Sequence, residues 1–133
     1  MAVVNIKFEL DGDIQTVWDI VTSLEDYTWR SDLSKIEVLE DGKKFIEYTK
    51  SGYSTTFTIT KFEPLSRYEF DMDNENMHGN WIGVFSKSNC KTIIDFTENV
   101  TPKKTIMKPF VGLYLKKQQS TYVSDLKRAL EDM

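Results

Sequence analysis

Residues 103–132, KKTIMKPFVGLYLKKQQSTYVSDLKRALED, carry the only long helical periodicity in this sequence of 133 residues. At about 100° per residue, their apolar side chains fall on one face of a helix. The members of this face are Met107, Val111, Tyr114, Leu115, Tyr122, Leu126 and Ala129. Gln118 falls among them, and a buried amide without partners costs about 1–3 kcal/mol. Such a face suits a helix that lies over a cavity better than one packed against a dry core.

Pro109 leaves two alternatives for the start of this helix. A proline inside a helix removes a backbone hydrogen bond and kinks the axis. Alternatively, Pro109 belongs to the first turn of the main helix, and residues 102–108 form a separate turn. Both alternatives predict a helix over residues 112–130 and an opening near residues 107–111.

Upstream of this segment, seven runs of residues have the pattern of β-strands. Residues 4–10 alternate apolar and polar side chains, and a short helical pattern begins at Asp13. Six further runs are separated by turn signals such as Asp41-Gly42, Ser51-Gly52 and Pro64. These runs cover residues 35–40, 43–50, 53–63, 67–72, 77–86 and 90–100. Their succession predicts antiparallel strands that follow one another in the sheet.

These elements predict an α+β fold in which one long helix covers the apolar face of a seven-stranded sheet. Charged side chains that face outward leave aromatic residues such as Phe70, Trp81 and Phe96 on the inner face. A sheet of this width has to curve around its only long helix. Residues 25–34, between the first helix and the second strand, are expected to form one helical turn or an ordered loop.

The composition is that of an ordinary soluble globular protein, with 40% hydrophobic and 29% charged residues. Its length predicts one domain that spans residues 1–133. Cys90 is the only cysteine, which excludes a disulfide framework and a cysteine-rich zinc site. The sequence has no signal-peptide pattern and no apolar run of membrane-spanning length. We therefore expect a cytoplasmic protein, a monomer or weak homodimer, without integral membrane association.

The net charge of −4 is unevenly distributed along the chain. Residues 1–101 contain ten Lys and Arg against eighteen Asp and Glu, whereas residues 102–133 contain seven against three. The C-terminal helix is thus the basic element of an acidic protein. A solvated polar face is the favoured interpretation, and an anionic partner or a membrane surface is the alternative. No nucleic-acid partner is expected, since most of the surface would repel phosphate.

Residues 17–48, VWDIVTSLEDYTWRSDLSKIEVLEDGKKFIEY, resemble the beginning of the SRPBCC superfamily, which includes START domains, birch-pollen-allergen-like proteins, polyketide cyclases and CoxG-type proteins. The resemblance rests on Val17-Trp18-Asp19-Ile20, on Glu25-Asp26-Tyr27 followed by Trp29, and on the strand that ends at Gly42. Within this superfamily, the sequence is most similar to the small bacterial-type members. The resemblance implies a helix-grip fold with a deep hydrophobic pocket between the C-terminal helix and the sheet. Members bind lipids, sterols, polyketides, plant hormones or aromatic compounds, and a minority catalyse cyclisation or dehydration.

The strand faces and this resemblance together predict the residues that line the pocket. The predicted ligand-binding residues are Trp29, Tyr48, Phe57, Phe70, Met72, Trp81, Phe85, Phe96, Glu98, Val111, Tyr114, Gln118 and Tyr122. Gln118 and Glu98 would meet the polar end of a ligand. For Gln118 the alternative is plain core packing. For Glu98 the alternative is a carboxylate that reaches water near the end of its strand.

Three functions are compatible with these patterns. The first is binding, transport or sensing of a small hydrophobic ligand, such as a lipid, a polyketide or an aromatic compound. The second is a polyketide cyclase or dehydratase-like enzyme that uses Glu98, Tyr114 or His78 as acid or base. The third is a protein-interaction module without a ligand, formed by the basic helix and residues 73–76. No metal-ligand spacing or phosphate-binding loop is present, so no metal and no cofactor are expected.

Overall fold

The computed structural model describes residues 2–132, apart from the side chain of Asp41. Two helices and seven strands follow one another along the chain. They are β1 (Ala2–Leu10), α1 (Ile14–Thr22), β2 (Leu33–Leu39), β3 (Lys44–Thr49), β4 (Ser54–Glu63), β5 (Arg67–Asp73), β6 (Met77–Ser88), β7 (Lys91–Pro102) and α2 (Val111–Glu131). Single 3₁₀ turns at Glu40–Gly42 and Thr105–Met107 complete the set. None of the described helices is both long and apolar enough to cross a membrane.

All seven strands belong to one antiparallel sheet with the order β1-β7-β6-β5-β4-β3-β2. Strands β2 to β7 follow one another as predicted, and β1 pairs with the last strand, β7. The predicted α+β fold, a seven-stranded antiparallel sheet with a long C-terminal helix, is confirmed. The β6–β7 pairing depends on Gly79, because a Cβ atom there would lie 2.0 Å from the Asn99 carbonyl oxygen. Only glycine allows this close approach.

Helix α1 begins at a conventional N-cap. The Asp13 side chain accepts hydrogen bonds from the backbone N–H and the hydroxyl of Thr16, both at 2.9 Å. The buried face of the helix carries Ile14, Val17 and Trp18. Trp18 packs edge-on against Phe85, with ring centroids 4.8 Å apart. These contacts join α1 to the main hydrophobic core.

The segment between α1 and β2 forms turns, so the ordered-loop alternative holds and the additional helical turn is absent. The Ser23 hydroxyl accepts a hydrogen bond from the Asp26 N–H at 3.0 Å, and the Tyr27 carbonyl accepts one from the Arg30 N–H at 3.0 Å. Its polar residues thus bond locally instead of forming a helix. We refer to residues 23–32 as the α1–β2 loop.

Helix α2 begins after Pro109, with Phe110 as its N-cap residue and a separate 3₁₀ turn at Thr105–Met107. The proline therefore causes no kink inside the helix. The buried residues of α2 are Val111, Leu115, Gln119, Val123, Asp125 and Leu126. This face is rotated from the predicted one, because Gln119 is buried and Tyr114 and Gln118 are exposed.

The core between the sheet and the two helices has two parts. The larger part includes Trp18, Phe85, Phe96 and Leu126, and the smaller one consists of Val4, Val100, Val111 and Leu115. On β7, Phe96 belongs to the first part and Val100 to the second. Glu98 lies between these two residues on the same face of the strand, so a carboxyl group separates two apolar regions.

Candidate functional site

A cavity of about 160 Å³ lies between the inner face of the sheet and α2, beside the α1–β2 loop. Apolar protein cavities of about 150 Å³ can hold a molecule the size of benzene. Two stacked ring pairs contribute to its wall: Phe70 with Trp81, with centroids 4.8 Å apart, and Phe45 with Phe57, 4.9 Å apart. The cavity is thus suited in size and surface to a single aromatic ring or a similar apolar group.

Most of the predicted ligand-binding residues line this cavity. They are Trp29, Phe57, Phe70, Met72, Trp81, Phe96, Glu98, Tyr114, Gln118 and Tyr122. His78, the weaker acid–base candidate, also borders it, but its side chain is exposed. Contact with a ligand stays a prediction for all of them.

Tyr48 lies outside the cavity, contrary to prediction. Its ring is 5.0 Å from the Lys35 ammonium nitrogen, and its hydroxyl donates to Glu37 at 3.4 Å. Its neighbours Phe45 and Glu47 line the cavity, and side chains alternate along a strand, so Tyr48 faces the other side. The assumption that every charged residue faces outward fails at Glu47, because a buried arginine pairs with this carboxylate.

Phe85 and Val111 also lie outside the main cavity. Phe85 is buried, but it packs against Trp18 under α1 and does not reach the cavity. Val111 lines a second, apolar opening of about 340 Å³ at the start of α2, near the predicted residues 107–111. The residues around this opening are Met77, Ile106, Met107, Phe110, Val111 and Tyr114. Met77 and Tyr114 border both spaces.

The glutamine that faces inward from α2 is Gln119, one residue after the predicted Gln118. Gln119 is 5% exposed, and its amide nitrogen donates to the Val4 carbonyl of edge strand β1 at 3.3 Å. Gln118 is exposed and donates to the Tyr114 hydroxyl at 3.2 Å, at the border of the cavity. Successive residues of a helix point in directions about 100° apart. Because the predicted buried face of α2 was rotated from the observed one, Gln118 was predicted to face inward and Gln119 outward.

A partly buried charge cluster forms the polar end of the cavity: the side chains of Arg30 and Glu47 are 15% and 17% exposed, and that of Asp32 is 36% exposed. Arg30 donates from Nε and Nη2 to the two carboxylate oxygens of Asp32, both at 3.1 Å, and from Nη1 to Glu47 at 3.5 Å. The Arg30 guanidinium also lies 5.0 Å from the centroid of the Tyr122 ring. The sequence patterns did not predict this cluster, and their only signal for it was an arginine directly after Trp29 in the loop.

The charges of this cluster depend on one another. Burial disfavours the charged form of Arg30, but Glu47 and Asp32 outweigh it and raise the pKa of the guanidinium, which stays charged. Burial raises the pKa of the Glu47 carboxyl, Arg30 opposes this change, and Asp32 adds to it. Arg30 already forms ion pairs with two carboxylates. Its positive charge is therefore neutralised and does not attract an acidic ligand.

Glu98 is only 7% exposed, so the alternative of a carboxylate that reaches water is wrong. Burial raises the pKa of its carboxyl group to about 7, although the Gln119 amide and the Arg30 charge lower it in part. The side chain borders the cavity. Glu98 can therefore present either a proton donor or a carboxylate to a bound molecule near neutral pH.

Two buried polar groups in the cavity lack a hydrogen-bond partner among residues 2–132: the indole N–H of Trp29 and the hydroxyl of Tyr53. A buried donor without a partner costs about 1–3 kcal/mol. Tyr53 lies directly before β4 and was not predicted as a site residue. It nevertheless has the parity of Phe57 in the predicted strand of residues 53–63, and this parity is a signal that could have identified it. Both groups are available to an oxygen or nitrogen atom in the cavity.

The α1–β2 loop that supplies Trp29 and Arg30 is bonded to α2. Asp125, 2% exposed, accepts hydrogen bonds from the N–H and the hydroxyl of Ser31, both at 2.8 Å. Arg128 donates to the other oxygen of the same carboxylate at 2.5 Å. This anchor places Trp29 against Tyr122, with ring centroids 5.3 Å apart. The loop and the helix thus form one wall of the cavity.

Comparison with known protein structures identifies several close matches to this fold. A START superfamily protein from Mycobacterium smegmatis has a TM-score of 0.87 at 13% identity, over 98% of this chain and 97% of that one. A conserved protein from Geobacillus kaustophilus has a TM-score of 0.83 at 13% identity, over 98% and 96%. The di-domain ARO/CYC protein BexL, from the BE-7585A biosynthetic pathway, has a TM-score of 0.83 at 10% identity, over 98% of this chain and 47% of BexL. At these identities the similarity establishes a START-like, SRPBCC-type fold.

Sequence comparison gives the family. A comparison with curated protein sequences finds no match. The family model described as polyketide cyclase / dehydrase and lipid transport matches residues 1–131, nearly the whole chain. The chain therefore belongs to the polyketide cyclase / dehydrase and lipid transport family.

Proposed function

We propose that the protein binds a small, uncharged and largely hydrophobic molecule that carries an oxygen acceptor, in the cavity between the sheet and α2. The observation that carries this proposal is the pair of unpartnered groups in the cavity, Trp29 Nε1 and the Tyr53 hydroxyl. Most buried polar groups in folded proteins have a partner. An oxygen of the ligand can accept a hydrogen bond from Trp29 and so supply the missing partner.

The charges around the cavity favour an uncharged ligand. The Glu47 carboxylate, and Glu98 when it is ionised, would repel an anion, and Arg30 is already paired with Asp32 and Glu47. The aromatic wall suits a ring or an acyl chain. Lipids, polyketides and small aromatic compounds meet these requirements, and the family description includes lipid transport. A monomer suffices for this function, because the described cavity is formed within one chain.

Two uncharged molecules of similar size, acetophenone and ethylbenzene, test the proposal, because only acetophenone has an oxygen acceptor. We expect wild-type protein to bind acetophenone more tightly. The Trp29→Phe variant keeps one aromatic ring but loses the N–H together with the five-membered ring of the indole. Its acetophenone affinity should fall by about 5- to 30-fold more than its ethylbenzene affinity, which corresponds to about 1–2 kcal/mol for the hydrogen bond. The ethylbenzene affinity reports the effect of the lost ring volume alone. NMR titration of both ligands measures these constants.

The Tyr48→Phe variant is the matched control, since it removes a hydroxyl group that lies outside the cavity. Its affinities for both ligands should equal those of the wild type. Failure of the wild-type protein to bind either molecule, together with no co-purified ligand in native mass spectrometry, would contradict the proposal. An equal loss of both affinities in Trp29→Phe would show that the indole N–H does not bond to the ligand oxygen.

A second candidate is catalysis of cyclisation or dehydration, and the buried Glu98 favours it. A carboxyl group with a pKa of about 7 beside a cavity can remove a proton from a carbon between two carbonyl groups and later return it. Incubation with a synthetic poly-β-ketone distinguishes the candidates. A cyclase yields a cyclised product in a Glu98-dependent reaction, whereas a binding protein returns the compound unchanged. The third function, an interaction module without a ligand, has less support, because it leaves the cavity between the sheet and α2 without a role.

A further inference from the structure

Three large apolar side chains near the start of α2 are exposed to solvent. Ile106 is 79% exposed, Phe110 64% and Leu113 71%. We call these three residues the apolar patch. Single exposed apolar residues are common on protein surfaces. Here three exposed apolar residues lie within eight positions and next to an apolar opening. Such a concentration indicates a surface that binds an apolar partner.

The geometry of α2 directs Leu113, the one member of the patch inside this helix, away from the sheet. Val111 and Leu115 are buried beneath the helix, 2% and 1% exposed. Leu113 lies about 160–200° from both around the helix axis, because each residue adds about 100°. Lys117 follows Leu113 one turn later on the same outward face. The outward face therefore combines an apolar start with a basic continuation.

Lysines flank the patch on both sides in the sequence. Residues 102–124 contain Lys103, Lys104, Lys108, Lys116 and Lys117 and no acidic residue. Lys103 bonds to Asp73 at 2.7 Å, whereas the other four form no ion pair among the described residues. The rest of the sequence is acidic, with ten basic against eighteen acidic residues in residues 1–101. The positive charge is thus concentrated where the exposed apolar side chains lie.

We propose that the apolar patch and its lysines dock the protein onto the surface of an anionic lipid bilayer. A bilayer offers hydrocarbon to Ile106, Phe110 and Leu113 and negatively charged headgroups to the lysines at the same time. A second copy bound through the same patch would bring together eight lysines without an ion pair, four from each copy, and these charges would repel each other. Segments with large apolar residues on one side and lysines around them are typical of peripheral membrane attachment.

Docking would place the apolar opening of Met77, Met107 and Tyr114 against the bilayer. Because Met77 and Tyr114 also border the main cavity, a ligand could pass between bilayer and cavity at this point. This consequence rests on the proposed ligand-binding function. The docking itself does not, since it depends only on exposed residues.

Co-sedimentation with vesicles tests the docking. We expect the wild-type protein to bind phosphatidylcholine vesicles that contain phosphatidylserine, and to bind pure phosphatidylcholine vesicles at least on the order of tenfold less tightly. High salt should weaken binding to the anionic vesicles. The variants Phe110→Ser/Leu113→Ser and Lys116→Glu/Lys117→Glu should each lower that affinity on the order of tenfold or more.

Each variant has a matched control on the strands. Val3→Ser/Val84→Ser removes two other exposed apolar side chains, and Lys7→Glu/Lys87→Glu changes the net charge by the same amount as the helix variant. Both controls should bind vesicles like the wild type. Thermal unfolding and acetophenone affinity of every variant separate loss of docking from loss of fold or of the cavity. Absence of vesicle binding at low salt, equal effects in patch and control variants, or self-association through the patch without vesicle binding would each overturn the proposal.

Discussion

Replacement of Arg30 by methionine is expected to lower the free energy of unfolding by about 3–5 kcal/mol. Methionine keeps an unbranched apolar side chain but removes the charge that Asp32 and Glu47 share. The Glu47 side chain is only 17% exposed, so its carboxylate would be left mostly out of contact with water and without a counter-ion. The contact between the guanidinium and the Tyr122 ring would also be lost. Urea denaturation at neutral pH, followed by circular dichroism, measures the difference.

Two further variants distinguish the stability lost with the charge cluster from the stability lost when any arginine is replaced by methionine. Arg67 pairs with Glu69 and is 41% exposed, so Arg67→Met should cost only about 0–1 kcal/mol. Arg30→Met/Glu47→Gln leaves no unpaired carboxylate at position 47 and should recover much of the stability that Arg30→Met loses. Equal, small effects of Arg30→Met and Arg67→Met would show that the cluster does not stabilise the fold.

The Glu98→Gln variant is expected to be more stable than the wild type by about 3 kcal/mol at pH 8, with little difference at pH 4. The pKa of Glu98 is about 7 in the folded protein, against 4.5 for an ordinary glutamate. At pH values between 4.5 and about 7, Glu98 keeps its proton in the folded protein but has released it in the unfolded chain. Wild-type stability therefore falls as pH rises from about 4.5 to about 7 and stays lower above it. Glutamine has no charge to bury at any pH.

Urea denaturation of both proteins at several pH values measures this difference, and subtraction removes the contribution of every group they share. The exposed Glu75→Gln variant is the control and should change stability by less than about 0.5 kcal/mol at both pH extremes. A stability difference between Glu98→Gln and wild type that is independent of pH would contradict the raised pKa. If the protein is a cyclase, the same variant should lose turnover and keep acetophenone binding.

The sequence patterns predicted the elements well where a local rule applies. Alternation and turn residues located all seven strands, because side chains of a half-buried strand must alternate between core and solvent. Pro109 and the helical period placed the final helix to within a residue or so at each end. Orientation was predicted less well. Gln118 was predicted to face inward instead of Gln119, and Tyr48 instead of Glu47. In both cases the buried face is decided by a contact with another segment: β1 for Gln119 and Arg30 for Glu47.

The charge cluster and the unpaired groups could not be predicted from local patterns. Arg30 and Glu47 are 17 residues apart and meet only when the α1–β2 loop folds against β3. A buried carboxylate is unfavourable without such a partner, so composition and periodicity favour placing it outside. Asp125 gives a similar case, since its bonds to Ser31 join residues 94 positions apart.

Local sequence patterns specify the order of the elements, the antiparallel sheet with one aromatic face, and the long amphipathic helix that covers it. These properties follow from short-range periodicity and turn chemistry, which each segment expresses alone. Contacts between distant segments bury the Gln119 amide and let Glu47 face inward beside Arg30. They also leave the indole N–H of Trp29 and the hydroxyl of Tyr53 without a partner in a cavity. These properties depend on packing and electrostatic contacts between distant segments, which exist only after the sheet has closed around α2.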